Sequence, residues 1–215
     1  MTSAHGHDVG NDAALVLDAP AAQDGGDPRT EEDFAPGAPS RRGSAVDWLI
    51  IHQFDAARAS PGGIDTVIRG ILRHLDPSVS VAVVGVDTTP GGDPQRVGRW
   101  ETHSYGERTF RFMPVVSLDP ADQSRRIPHT ARLVAGVVRH RKSLPPARRL
   151  QCHRMDTALT LSALLRVPLA YVIHTQVAGS TGRSSDSFWR FAGQIHPRLE
   201  NAVIRRAADV RVFSP

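Results

Sequence analysis

The sequence has only one cysteine and one lysine in 215 residues, and it lacks any long apolar run. A single thiol, Cys152, excludes an intramolecular disulfide and fits a reducing compartment. No stretch approaches the roughly eighteen apolar residues that a membrane-spanning helix needs. The amino terminus has no basic residue ahead of an apolar segment, so it does not resemble a secretory signal. These absences together predict a cytoplasmic protein.

Familiar catalytic and cofactor motifs are also missing. The chain has no G-x-G-x-x-G fingerprint, and no Gly-Lys-Ser/Thr for a phosphate-binding P-loop. It also lacks the G-x-S-x-G, H-E-x-x-H and C-x-x-C patterns of hydrolases, zinc proteases and redox proteins. No set of metal-ligating residues stands out. We therefore expect neither a bound metal nor a tightly bound cofactor.

Charge divides the chain into two parts. Residues 1–43 carry eight acids and three bases and few large apolar side chains, so their burial cannot offset the entropy of ordering. This composition predicts a disordered acidic tail. Residues 44–215 then hold 23 bases and 14 acids, a net charge of +9 that suits polyanionic ligands such as nucleotide diphosphates or anionic lipid.

The ordered part begins with a strand, a glycine loop and a helix. Residues 46–54 are apolar enough for a strand that is buried on both faces. The loop closes on Pro61-Gly62-Gly63, and residues 64–75 follow with one apolar stripe at helical spacing. Residues 78–86 form a second apolar strand. This order predicts a βαβ unit with parallel strands.

The remaining sequence continues the alternation of strands and helices. Ile127, Ala131, Val134 and Val138 are spaced as in a helix. Alternation of this kind predicts an α/β fold, a Rossmann-like, doubly wound and mostly parallel sheet. Strands are predicted at 97–103 and 109–116 (as a hairpin), 150–153, 167–174 and 210–213, and helices at 127–141, 155–165, 184–195 and 199–208.

Three candidate ligand groups fall at the carboxyl ends of strands, where such sheets bind ligands. Gly62 and Gly63 precede a helix, whose free N–H groups favour a phosphate or sugar oxygen, although an ordinary glycine turn is the alternative. His174 ends an apolar strand, and it could serve as a donor or proton carrier, or be a buried structural residue. His153 allows the same two interpretations, because Asp156 follows it at capping distance. Cys152 is interpreted as a small buried hydrophobe.

In this order, the elements resemble the N-terminal domain of GT-B glycosyltransferases of family 4. The resemblance covers about residues 46–215 and rests on Gly62-Gly63, on strands ending in His153 and His174, and on the closing segments Leu199-Glu200 and 208–214. It implies a retaining transfer of a sugar from a nucleotide-sugar to an acceptor. Carried over, Gly62 and Gly63 would lie against the donor diphosphate and the acceptor. His174 would contact the transferred sugar as the catalytic-site histidine, and His153 would line the acceptor side.

The sequence departs from that family by ending at Pro215, where a second, donor-binding domain would follow. We therefore expect the chain to be inactive by itself as a transferase. A non-catalytic α/β binding or partner module of the same fold is the alternative. A nucleic-acid partner is not expected, because the bases are not interleaved with aromatics and no helix-turn-helix or RNP pattern occurs.

A run of basic residues suggests one further partner. Residues 125–154 hold nine arginines and lysines and no acid before Asp156, and several of them lie on the predicted helix with Ile127, Val134 and Val138. Such a basic amphipathic helix is typical of peripheral contact with an anionic membrane. A solvated arginine face is the alternative.

Overall fold

Strands and helices alternate along the parts of the chain that the computed structural model describes, residues 44–58, 62–119, 127–174 and 196–213. The strands and helices have the following bounds: β1 Val46–Ile51, α1 Gly63–His74, β2 Val81–Asp87, β3 Glu101–Tyr105, β4 Arg108–Ser117, α2 His129–Arg139, β5 Ala147–Cys152, α3 Met155–Leu165, β6 Leu169–His174, α4 His196–Arg206 and β7 Asp209–Phe213. A short 3-10 turn, Arg141–Ser143, follows α2.

The seven strands form one sheet in the order β3-β4-β2-β1-β5-β6-β7. All neighbouring pairs are parallel except β3 and β4, which form an antiparallel hairpin at one edge. In the centre, Ile51 of β1 pairs with Val84 of β2 on one side and with Cys152 of β5 on the other. The chain thus has the predicted Rossmann-like α/β fold with a mostly parallel sheet.

Most predicted elements agree with the observed ones to within a few residues. The hairpin, the βαβ unit and the helix at 155–165 are confirmed. The first strand ends at Ile51, three residues earlier than predicted, because the chain bends at 52–53. Helix α4 begins at His196, three residues earlier than predicted, and Pro197 lies in its first turn, where its missing N–H costs nothing. The predicted tail at 1–43 and the predicted helix at 184–195 lie outside the described residues.

Apolar side chains cover the two faces of the sheet in separate clusters. On one face, α1 packs through Ile68 and Leu72 against Trp48 and Ile50 of β1 and against neighbouring strands. The opposite face carries a larger cluster, to which β1, β2, β4, β5 and β6 contribute together with α2, α3 and α4. Burial on both faces explains why the central strands read as continuous apolar runs.

Helix α2 packs against the larger cluster through one side only. Its fully buried residues are Leu133, Gly136 and Val137, whereas Val138 stays half exposed. Gly136 sets this orientation, because a Cβ there would lie 2.6 Å from the carbonyl oxygen of Val115 in β4. Val138 therefore faces outward, whereas Val134 is partly buried against the larger cluster.

Candidate functional site

Three neighbouring strands end in histidine. His52 directly follows β1, His153 directly follows β5 and His174 is the last residue of β6. Because these strands are parallel, their carboxyl ends meet at one edge of the sheet. Side chains alternate along a strand, and Trp48 and Ile50 of β1 pack on the α1 side, so His52 points to that side as well.

The three imidazoles form a continuous row, which we call the histidine cluster. Ring centroids lie 5.7 Å apart between His52 and His153, and 5.3 Å apart between His153 and His174. Nδ1 of His153 and Nε2 of His174 are 3.0 Å apart, a hydrogen bond. Behind them, the amide nitrogen of Gln151 lies 2.7 Å from Nε2 of His153. Phe213 of β7 stacks against the outer face of His174, with 6.1 Å between ring centroids.

All three histidines are neutral near pH 7. Burial, together with the charge of Arg154 and the neighbouring His174, lowers the pKa of His52 to about 3. Burial, together with the two neighbouring imidazoles, lowers the pKa of His153 to about 2. Burial also lowers the pKa of His174, which is only partly covered. Each ring therefore offers one N–H donor and one acceptor nitrogen.

The amino terminus of α1 carries the predicted glycine pair. Gly62 caps the helix and Gly63 is its first residue. Gly62 has an extended backbone with φ 178°, which any residue can adopt. A Cβ built at either glycine would meet no atom within 4 Å. Neither backbone conformation nor packing requires glycine here, so the pair leaves bare backbone beside open space at a helix N-terminus.

Asp65 places that helix end beside the histidine cluster. It lies in the first turn of α1, and its Oδ1 is 3.9 Å from Nε2 of His52. This is no ion pair, because His52 is neutral, and it is too long for a hydrogen bond. Burial raises the pKa of Asp65 to about 6, against the opposing charge of Arg69. The glycine pair and the histidines thus lie at the same edge and on the same side of the sheet.

Several buried polar atoms at this edge lack a hydrogen-bond partner within the described ranges. They include Nδ1 of His52, Oδ2 of Asp65 and Oε1 of Gln151. A buried polar atom left unpaired costs about 1–3 kcal/mol, so native proteins usually satisfy such atoms with water or a ligand. Three of them around one row of neutral rings indicate a site for a polar molecule.

A second polar group lies at the same sheet edge, on the other side of β1, and we call it the arginine cluster. Arg96 donates to Asp87 at 2.6 Å and to Glu101 at 2.8 Å, and it lies 3.5 Å from Asp55. Burial alone would raise the pKa of Asp87, yet hydrogen bonds from Thr89 and the Asp93 backbone and the charge of Arg96 hold it below its ordinary value. One guanidinium thus binds three carboxylates.

Two other sequence predictions can be compared with the geometry. Cys152 is buried in the larger apolar cluster, and burial raises the pKa of its thiol, as expected for a small hydrophobe rather than a nucleophile. Asp156 pairs with Arg154 at 2.9 Å, so the suggested partnership between Asp156 and His153 is wrong. His153 is bonded to Gln151 and His174 instead.

Sequence reasoning missed two members of the site, His52 and Gln151. His52 could have been found by the rule that identified His153 and His174, because it too follows an apolar strand. Gln151 gave no signal, since a glutamine inside a short strand is ordinary until its partner is known. The functional roles of Gly62, Gly63, His153 and His174 remain predictions.

The described residues hold no group of three or more histidine, cysteine or carboxylate side chains with a geometry fit for a metal ion. None of their helices is long and apolar enough to cross a bilayer. An open groove of about 490 Å³ lies between α1 and β7, lined by residues such as Trp48, Ile71 and Phe213. That groove is largely apolar and excludes the three histidines, so we place the site at the sheet edge instead.

Comparison with known proteins supports the fold. No protein-family model matches the sequence, and no curated protein matches it. Among solved structures, the chain is similar to sucrose-phosphate synthase from Thermosynechococcus elongatus, with a TM-score of 0.54 and 16% identity. The match covers 79% of this chain and 43% of the synthase chain, so this chain spans less than half of that protein. The likeness supports the fold alone, that of one part of a GT-B glycosyltransferase, and it does not point to family 4.

Proposed function

We propose that this chain provides the acceptor-side domain of a retaining glycosyltransferase, which transfers a sugar from a nucleotide-sugar to an acceptor. The single observation that carries the proposal is the histidine cluster beside the bare amino terminus of α1. A GT-B-like sheet brings the two together at the edge where parallel sheets bind ligands.

The chemistry of that edge suits a sugar diphosphate. The free N–H groups at the start of α1 and its helix dipole favour an anion, and the bare backbone of Gly62 and Gly63 lets phosphate oxygens approach closely. Neutral imidazoles add hydrogen bonds without placing fixed charge in the site. When the bond to the transferred sugar breaks, negative charge develops on the departing diphosphate, and donors already in place stabilise it.

In this proposal the residues have separate tasks. Gly62 and Gly63 hold phosphate and acceptor oxygens through their backbone. His174, at the exposed end of the histidine row, touches the sugar, while His153 orients it from behind. Orientation and charge stabilisation, without a metal or cofactor, are the means of catalysis that these residues can supply.

Ligand binding by the 215-residue chain tests the proposal. Uridine diphosphate, UDP-glucose and glucose 6-phosphate would be titrated calorimetrically into the native chain and into His174→Ala. We expect at least one probe to bind, and the loss of His174 to weaken its binding at least tenfold. His74→Ala, on the exposed last turn of α1, is the matched control and should bind like the native chain. Equal weakening by both variants, or no binding of any sugar or nucleotide in a broad panel, would remove the proposal.

A non-catalytic binding module of the same fold is the second candidate, because the same geometry would serve it. It predicts binding at the histidine cluster but no chemistry. Release of nucleoside diphosphate from a nucleotide-sugar plus acceptor separates the two, when it is measured with the native chain and with His174→Ala, each fused to a donor-binding domain because we expect no turnover by the chain alone. Release that depends on His174 would exclude the module.

We also propose peripheral contact with an anionic membrane through the outer side of α2. The observation that favours it is that Ile127 is 58% exposed and Val138 is 50% exposed, next to the exposed cations Arg139, Arg141 and Lys142. Apolar side chains flanked by cations suit the boundary between headgroups and acyl chains. Co-sedimentation with phosphatidylserine vesicles should exceed that with phosphatidylcholine vesicles and fall in Val138→Asp. Equal recovery with both lipids would contradict it.

A further inference from the structure

A fully buried glutamine lies at the inner end of the histidine row. Gln151 has no exposed surface, and its amide nitrogen is 2.7 Å from Nε2 of His153. His153 in turn uses Nδ1 to reach Nε2 of His174 at 3.0 Å. The three side chains thus form one hydrogen-bonded line that runs from the interior to the partly exposed His174.

We propose that Gln151 fixes the tautomers of both histidines, so that His174 presents a protonated Nδ1 to the ligand. An amide N–H of Gln151 can only donate, so Nε2 of His153 must be the acceptor and its proton must lie on Nδ1. That Nδ1–H donates to Nε2 of His174, which therefore carries its own proton on Nδ1. Each neutral ring holds one proton, so the first bond determines the rest.

The reverse direction of the line is less favourable. If the amide were turned, Oε1 of Gln151 would accept from His153, and His174 would present a bare nitrogen. Turning it would leave the NH₂ group, with its two donors, in the place where Oε1 now lies unpaired. Unsatisfied buried donors are rarer in native proteins than under-satisfied carbonyl oxygens. The buried interior around Gln151 therefore favours the donor direction.

This assignment deepens the proposed function and, for the ligand, rests on it. A protonated Nδ1 recognises an oxygen with free lone pairs, such as a phosphate or sugar hydroxyl oxygen. It does not remove a proton from the ligand. Gln151 and His153 are thus positioning residues, while His174 is the donor that touches the substrate.

Tautomers can be read directly in the ligand-free chain. With ¹⁵N-labelled histidine, long-range proton–nitrogen correlation spectra at neutral pH distinguish Nδ1–H from Nε2–H rings. We expect His153 and His174 both to be Nδ1–H. Gln151→Glu supplies a carboxylate that can only accept, so both rings should switch to Nε2–H. Gln53→Glu adds a carboxylate at the same edge, where Gln53 bonds to Thr130, and it is the matched control that should leave the tautomers of His153 and His174 unchanged.

Gln151→Met covers the case in which the buried carboxylate prevents folding. It keeps the volume but removes the donor, so both rings should become mixtures of tautomers, and binding of the probe should weaken about tenfold, as for one lost hydrogen bond. An Nε2–H ring at His174 in the native chain, or unchanged tautomers in both Gln151 variants, would overturn the inference. If the tautomers behave as expected but no sugar or nucleotide binds, the line of hydrogen bonds stands and the proposed function fails.

Discussion

The two polar clusters at the carboxyl edge of the sheet differ in how completely they are satisfied. In the arginine cluster, Arg96 faces three carboxylates, and Asp87 also accepts hydrogen bonds from Thr89 and the backbone of Asp93. In the histidine cluster, the rings are neutral and buried polar atoms remain unpaired beside them. Within the described residues, every carboxylate of the first cluster has a hydrogen-bond or ion-pair partner, whereas buried atoms of the second have none.

This difference favours a structural role for the arginine cluster and a ligand-binding role for the histidine cluster, although both lie at the same edge of the sheet. Oppositely charged groups link the loops after β1 and β2, because Arg96 pairs with Asp55 and Asp87, and Asp55 also accepts from the backbone and hydroxyl of Thr88. Neutral groups with free capacity do not stabilise the fold in this way. Variants in the arginine cluster should therefore lower stability more than binding, and variants in the histidine cluster should lower binding more than stability.

The largest expected effect is on stability, in the arginine cluster. Arg96→Met leaves the buried carboxylates of Asp55 and Asp87 without their cation, which we expect to lower the free energy of unfolding by about 3–5 kcal/mol. Arg99→Met, an exposed neighbour, should change it by less than about 0.5 kcal/mol. Urea unfolding followed by circular dichroism measures both. If Arg96→Met lowers the free energy of unfolding by less than about 1 kcal/mol, the arginine cluster does not stabilise the fold as proposed.

The fold could be predicted from the sequence because local pattern and topology agree. Strands with apolar residues on both faces need helices on both faces, and α1 supplies an amphipathic crossover of the right length. The direction of α2 could not be read from its spacing. Two overlapping apolar stripes run along that helix, and the choice between them depends on Gly136 lying against Val115, a contact far apart in sequence.

The site was predictable only in part, for a similar reason. The rule that ligands bind at strand ends identifies His153 and His174 without knowing strand order. That they touch requires β5 and β6 to be neighbours, and that His52 joins them requires β1 to lie next to β5. The arginine cluster joins β1, β2 and β3 with the loop at 88–100, and no spacing in the sequence signals it.

The next largest effect is a dependence of stability on pH that arises from the histidine cluster. His52 and His153 have pKa values of about 3 and 2 in the folded chain, well below the ordinary 6.5 of the unfolded chain. The unfolded state therefore takes up protons that the folded state cannot, and stability falls as pH decreases below about 6.5. Each histidine should contribute about 1.4 kcal/mol per pH unit below about pH 6.

The titration of Asp65 raises stability as pH falls, opposite to the histidines, so a variant of Asp65 tests the same prediction from the other side. Its pKa of about 6 lies above the unfolded value of 3.8, so the folded state binds the extra proton between pH 6 and 4 and gains stability as pH falls. Asp65→Asn should therefore steepen the loss of stability between pH 6 and 5, whereas His153→Gln should flatten it. Denaturant unfolding at closely spaced pH values measures both slopes, and equal slopes in all three proteins would show that these groups titrate normally.

The smallest expected effect on stability lies at the glycine pair, where binding should respond most. Gly62→Ala and Gly63→Ala add a methyl group in open space at a backbone position that alanine tolerates, so stability should stay within about 1 kcal/mol of the native value. Gly70→Ala, also in open space but in the interior of α1, should stabilise the helix by up to about 1 kcal/mol. Only the first two variants cover backbone that we propose to touch phosphate. A matched loss of UDP affinity in Gly70→Ala would show that stiffening α1, rather than blocking the ligand's approach, weakens binding.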